Sequence, residues 1–179
     1  MRQAGGDLEE AARRVARGDV SAFATLVNAT SARLYRLAIK MMGSGEEAED
    51  VLQESYARAY EALRAGRFEG AARVDSWLYR IVANQAINAL RSRRRRPAVT
   101  LQNDDIVADP RQASDVRVVL RELSGWLDAL PADQRAALVL RELEGLPNAE
   151  IARIMGCSEG AVEQRLVRAR AALRARSEQ

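Results

Sequence analysis

Histidine is missing from all 179 residues, and Cys157 is the single cysteine. That excludes the usual zinc sites, a histidine-based triad and a structural disulfide. Only carboxylates are left to build an active site, and nothing arranges them into one, so neither an enzyme nor a cofactor is expected. No apolar run is long enough to span a membrane, and no signal-peptide pattern opens the chain. A cytoplasmic protein without membrane contact of its own is the expectation. Aromatic residues make up only 4%, and β-branched residues are sparse and scattered. With Ala and Leu dominant, this favours an all-α fold. Lysine is nearly missing as well. Lys40 is the only one, so almost every cation is an arginine, the side chain that best grips phosphate and guanine edges; a GC-rich genome would produce the same bias.

What is present suffices for packed cores: 47% of residues are hydrophobic, and the net charge is +3. Helical periodicity begins at Asp7, which stands in capping-box spacing with Glu10, and runs to about Gly18. A second helix runs from about Val20 to Met42, with Phe23, Leu26, Val27, Leu34, Leu37, Ala38 and Met41 as its apolar stripe. Gly43-Ser44-Gly45 breaks it. Ser44 and Glu47 open a third helix that reaches about Ala65. A loop from Gly66 to Val74 follows, and Asp75 or Ser76 caps a fourth helix ending near Arg91. The pattern is lost after the Arg93 to Arg96 run and Pro97, resumes near Ser114, and starts again at Pro131 for a helix that stops at Gly145. The layout is two small helical domains, 1–91 and 114–179, joined by a flexible linker over 92–113.

The last stretch, Asn148 to Arg176, reads as a helix-turn-helix. Asn148 is the expected N-cap of a short helix with Ile151, Ala152 and Met155 inward. Gly156 supplies the turn, Cys157 fills its interior and Ser158 caps the next helix. There Val162, Leu166, Ala169 and Leu173 face inward, leaving Gly160, Glu163, Gln164, Arg165, Arg168, Arg170 and Arg174 mostly on other faces. Small residues at Gly160 and Ala161 let the helix start approach a phosphate backbone. An ordinary helical hairpin with a solvated basic face fits the same pattern. Cys157 reads as a buried structural thiol in preference to a redox switch.

Four further surfaces admit two readings each. Asp50, Gln53, Glu54 and Glu61 on the third helix suit docking to a basic protein surface, or are a solvated acidic face. The loop from Gly66 to Val74, holding Arg67, Phe68, Gly70, Ala71 and Arg73, precedes Trp77 and Tyr79. Aromatic residues beside arginines can stack on unpaired bases, although Trp77 also fits the core beside Leu78 and Ile81. Arg80, Asn84, Asn88 and Arg91 form one polar stripe on the fourth helix, able to read base edges or simply to solvate it. The arginines from Arg91 to Arg96 are a phosphate-binding patch or a disordered basic tail.

Three segments together resemble the bacterial extracytoplasmic-function (ECF) sigma factors of the sigma-70 family. They are AEDVLQESYARAY (Ala48 to Tyr60), DSWLYRIVANQAINALRSRRRR (Asp75 to Arg96), and LPADQRAALVLRELEGLPNAEIARIMGCSEGAVEQRLVRARAALR (Leu130 to Arg174). Their order and spacing are those of that family, over nearly the whole chain. The resemblance implies a sigma-two-like domain that grips the clamp helices of core RNA polymerase through Asp50, Gln53 and Glu54. Phe68, Gly70, Ala71 and Trp77 would capture an unpaired base of the minus-ten element, with Arg80, Asn84, Asn88 and Arg91 beside it. A sigma-four-like domain, also docked to the polymerase flap, would read minus-thirty-five duplex with Ser158, Gly160, Ala161, Glu163, Gln164, Arg165, Arg168 and Arg170. The linker would cross the polymerase channel, its Asp104, Asp105 and Asp109 mimicking nucleic acid. An anti-sigma factor would hold the protein inactive, and no homo-oligomer is expected.

The sequence departs from the family pattern at two places. Glu163-Gln164 stand where relatives often carry a basic and a small polar residue, and Gly70-Ala71-Ala72 replace the usual polar loop residues. A decoy that titrates an anti-sigma factor and a plain helix-turn-helix regulator are the competing functions. Arginines in both DNA-facing helices weigh against the first, and the acidic docking face against the second.

Overall fold

The computed structural model describes residues 3–68, 73–95 and 125–177, and every regular element among them is helical. Helix α1 (Gln3–Ala16) starts ahead of Asp7, which therefore lies inside it and does not cap it. The helix runs through Gly5 and Gly6, which weaken it but, unlike proline, remove no backbone donor. Ala11, Ala12 and Val15 are its buried residues. Asp19 then prepares α2 (Ser21–Met42): its carboxylate accepts from the Ser21 hydroxyl at 2.6 Å and the Ala22 N–H at 3.3 Å. Leu26, Leu34, Leu37 and Met41 of the predicted stripe are buried, and Phe23 at its edge meets Tyr56 and Tyr60 edge-on. Gly43 closes the helix at φ 78°, its N–H returning to Ile39.

Helix α3 (Gly45–Arg64) is capped as expected by Ser44, which accepts from the Glu47 N–H. Val51, Ser55, Ala59 and Leu63 recur at helical spacing and are buried. Helix α4 (Val74–Arg95) differs from expectation at both ends. Its first N–H is satisfied from a distant element, by Glu9 of α1 at 3.3 Å, so neither Asp75 nor Ser76 precedes the helix as a cap. At the other end it runs to Arg95, taking in the first residues assigned to the linker. Arginine is a good helix former, and Arg93 is tied on both sides by carboxylates of Glu47 and Asp128. The rest of that linker, with Asp104, Asp105 and Asp109, lies outside the described residues.

The second group begins with a helical stretch at 125–129 and continues through α5 (Ala132–Leu138), which Pro131 initiates. A π turn, Val139–Leu143, follows and ends ahead of Gly145. Helix α6 (Asn148–Met155) contains Asn148 as its first residue; Pro147 holds the capping position, and its carbonyl receives the Glu150 and Ile151 N–H groups. A proline carbonyl can accept those bonds while its fixed φ sets the entry angle, so no Asn side-chain cap forms. Gly156 makes the turn at φ 63°, and the Ser158 hydroxyl accepts from Ala161 to cap α7 (Glu159–Ser177). Ile151, Ala152, Met155, Val162, Leu166 and Ala169 form the buried seam of this pair. Helix α4 also packs on α5 and α6, and α2 touches the π turn, so the two groups lie against each other.

Candidate nucleic-acid interface

Three faces emerge from these elements. On α3, Asp50, Gln53, Glu54 and Glu61 are all exposed, opposite the buried Val51, Ser55, Ala59 and Leu63. Glu54 accepts from Arg58 one turn on at 2.9 Å, a pair that at this exposure holds geometry more than it stabilises. The face is acidic, and large apolar side chains are not among its exposed residues.

On α4, Arg80, Asn84, Asn88 and Arg91 are likewise all exposed, while Leu78, Val82, Ala83, Ala86, Ile87 and Leu90 are buried. The steps of three and four place these polar groups on one stripe. Trp77 sits at the stripe's start, half-buried, its ring tilted against Phe68 with centroids 4.9 Å apart. Core and surface readings of Trp77 thus both apply: one side packs, the other is open. Gly70 and Ala71 lie outside the described residues. Arg73 and Asp75 pair at the helix start, and Arg33 lies 3.8 Å from the same carboxylate.

On α7, Ser158, Gly160, Glu163, Gln164, Arg168 and Arg170 are exposed and Ala161 is half-buried. Arg165 is different. It is half-buried and donates to the Cys157 sulfur at 2.9 Å and toward Asp133 at 3.5 Å. Arg170 reaches back to Glu142 at 2.5 Å. Val167, 58% exposed, stands among these polar groups and was not singled out from the sequence; its neighbours Gln164 and Arg168 on the same face were the available signal. Cys157 is half-buried in the turn and held by Arg165.

Several polar groups that sequence reasoning missed lie where the two helical groups meet. Glu144 accepts from Lys40 at 2.7 Å and from the Tyr79 hydroxyl at 3.2 Å. Burial, with the adjacent Glu144 carboxylate, pushes the Tyr79 hydroxyl well above the ordinary tyrosine range, so it stays a donor. Arg91 of the α4 stripe donates to Asp133 at 2.8 Å. Arg135 is 2% exposed and pairs with Asp128, which also takes Arg93 at 2.8 Å. Arg91 and Arg93 of the arginine cluster are therefore on a helix and engaged by carboxylates, unlike a disordered tail.

The family described as Sigma-70 region 2 matches residues 26–96, and Sigma-70, region 4 matches residues 120–173. Over 172 residues the chain is 38% identical to RNA polymerase sigma-H factor of Pseudomonas aeruginosa, spanning 89% of this chain and 88% of that protein. The ECF RNA polymerase sigma-E factor of Haemophilus influenzae is 37% identical over 88% of each. The chain belongs to the sigma-70 family, in its ECF branch. Among solved structures, this sigma factor is similar to CnrH in complex with the cytosolic domain of CnrY, with a TM-score of 0.63, 26% identity, and coverage of 96% of this chain and 97% of that one. It is also similar to the sigma factor RpoE of Bartonella quintana in complex with the anti-sigma factor NepR, with a TM-score of 0.62, 25% identity, and coverage of 87% and 96%. The acidic face and the α4 stripe fall within region 2, and the helix-turn-helix falls within region 4. Among the described residues, no helix of this sigma factor is long and apolar enough to cross a membrane.

Proposed function

We propose that this chain docks on core RNA polymerase through Asp50, Gln53 and Glu54 and directs initiation by contacting both promoter elements. The observation that carries this reading is the separation of faces. One chain presents an acidic, exposed stripe on α3, a polar stripe on α4 opening at Trp77, and an arginine-bearing α7 at the end of a helix-turn-helix. A regulator using α7 alone has no need of the first two. Phe68, Trp77, Arg80, Asn84, Asn88 and Arg91 serve the opened minus-ten strand, with Gly70 and Ala71 in the loop between them. Ser158, Gly160, Ala161, Glu163, Gln164, Arg168 and Arg170 face the minus-thirty-five duplex. Arg165 belongs with them as the residue that sets the helix start. The sigma-two unit ends with α4, and the second unit begins within the segment that precedes residue 125.

The protein works in the bacterial cytoplasm, where the polymerase is, and performs no catalysis itself. An anti-sigma factor restrains it; the Bartonella quintana RpoE is known in complex with the anti-sigma factor NepR, and CnrH in complex with the cytosolic domain of CnrY. The test is run-off transcription with purified core polymerase on genomic DNA, comparing the wild type with Asp50→Arg. New discrete transcripts with the wild type, lost in the variant together with polymerase binding, are expected. Unchanged polymerase affinity in Asp50→Arg would remove the docking role of α3.

A further inference from the structure

Helix α7 turns about 100° per residue, so its buried Val162, Leu166 and Ala169 fix which residues point directly outward. Those are Gly160, Gln164, Val167 and Ala171, and all four are exposed. None of them carries a charge. Charged side chains stand to either side of this ridge, Arg168 on one flank and Glu163, Arg170 and Arg174 on the other. Arg170 is drawn back to Glu142. Among the described residues, the side chains of Gln164 and Arg168 have no hydrogen-bond or ion-pair partner within the fold. Val167, at 58%, is a large apolar side chain left open to water in the middle of the ridge.

A major groove about 12 Å wide admits a helix, whose outermost residues then face base edges while its flanks face the phosphate walls. A neutral ridge between charged flanks suits that placement. Nothing lies within 4 Å of where a Cβ of Gly160 would stand, and Ala171 is small, so both ends of the ridge can approach closely. The Gln164 amide presents a donor and an acceptor side by side, matching the N7 acceptor and N6 amino donor of adenine. The Val167 methyls match the C5-methyl of thymine and lose water against it. The two residues are about 4.5 Å apart along the helix axis, close to the step of about 3.4 Å between base pairs.

We infer that Gln164 and Val167 read two adjacent A·T pairs, Gln164 through the adenine edge and Val167 through a thymine methyl, while Arg168 holds phosphate. This deepens the reading of α7 proposed above and rests on it. Sequence preference then resides in two uncharged side chains, and the arginines beside them supply affinity without choosing bases.

The test uses the full chain assembled with purified core polymerase. Sheared genomic DNA retained by the complex is sequenced for a shared upstream motif, and promoters carrying that motif are rebuilt with single-base analogues. Binding is compared for the wild type, Gln164→Ala, Val167→Ala and Arg168→Ala, all at exposed positions where alanine keeps the helix. The motif is expected to contain adjacent A·T pairs. Replacing the adenine of one by 7-deazaadenine, which lacks the N7 acceptor, should weaken wild-type binding about five-fold and leave Gln164→Ala unaffected. Replacing the thymine of its neighbour by uracil, which lacks the methyl, should weaken the wild type about four-fold and leave Val167→Ala unaffected. A motif without adjacent A·T pairs, or analogue effects that are absent or equal in wild type and variants, would overturn the base assignment. Where Arg168→Ala still weakens binding, that result would leave α7 on the DNA. No shared upstream motif, with Arg168→Ala without effect, would remove the DNA-facing reading of α7 itself.

Discussion

Arg168 is exposed on α7, while Arg165, three residues earlier, is half-buried and donates to the sulfur of Cys157. The two are expected to fail differently. Arg168→Ala should weaken duplex binding uniformly across sequences and lower the salt slope by about 0.9, as loss of one phosphate contact does. Arg165→Ala should also cost about 1 kcal/mol of folding stability in urea titration, because Asp133 and Cys157 lose their guanidinium. Asp19 is informative for another reason. Hydrogen bonds from Ser21 and then Arg14 hold its carboxyl down at about 2, below the ordinary 3.8. A carboxyl lowered in the folded state gives stability that is complete above about pH 4 and lost as pH falls toward about 2. Asp19→Asn should therefore melt lower than the wild type at neutral pH, and the gap should close across that acidic window.

Turns decide the geometry of the helix-turn-helix element. Gly156 has φ 63°, and no atom lies within 4 Å of where a Cβ would stand, so any penalty there is conformational and not steric crowding. Gly156→Ala should cost about 1 kcal/mol in thermal or urea unfolding. A neutral result would mean the turn relaxes. Elements of this kind were legible in the sequence because their signals are local: Ser44 before Glu47, Gly43 after Met42, Gly156 between two apolar repeats. The acidic stripe on α3 and the polar stripe on α4 were legible for the same reason, since helical spacing alone puts their members on one side. What escaped had distant causes. The start of α4 is fixed by Glu9, 65 residues away, and Glu144 finds Lys40 at a separation of 104. Helical periodicity carries no information about such partners. The end of α4 was missed because a run of arginines reads as a solvated tail until Glu47 and Asp128 are seen to hold Arg93.

At the scale of the whole molecule, the two helical groups lie together in a form that leaves the α3 stripe exposed and commits Arg91 of the α4 stripe. The docking proposed for Asp50, Gln53 and Glu54 uses exposed residues, whereas the guanidinium of Arg91 is held by Asp133. Several of the chain's arginines already have anionic partners within the fold.

The one lysine of the chain stands at the boundary between the groups, its ammonium 2.7 Å from Glu144. Acylating reagents need the amine's lone pair and open space around it, and here the amine is engaged by the Glu144 carboxylate and by the Leu143 carbonyl at 3.4 Å. The side chain is therefore a chemical gauge already built into the molecule, with no competing ε-amine to confuse it. Its acylation by a succinimidyl ester, followed by mass spectrometry of the Lys40 peptide, should be slow in the free protein and quicken in Glu144→Gln. Transcription complexes in which the domains have separated should show the faster rate, unless polymerase itself covers that amine.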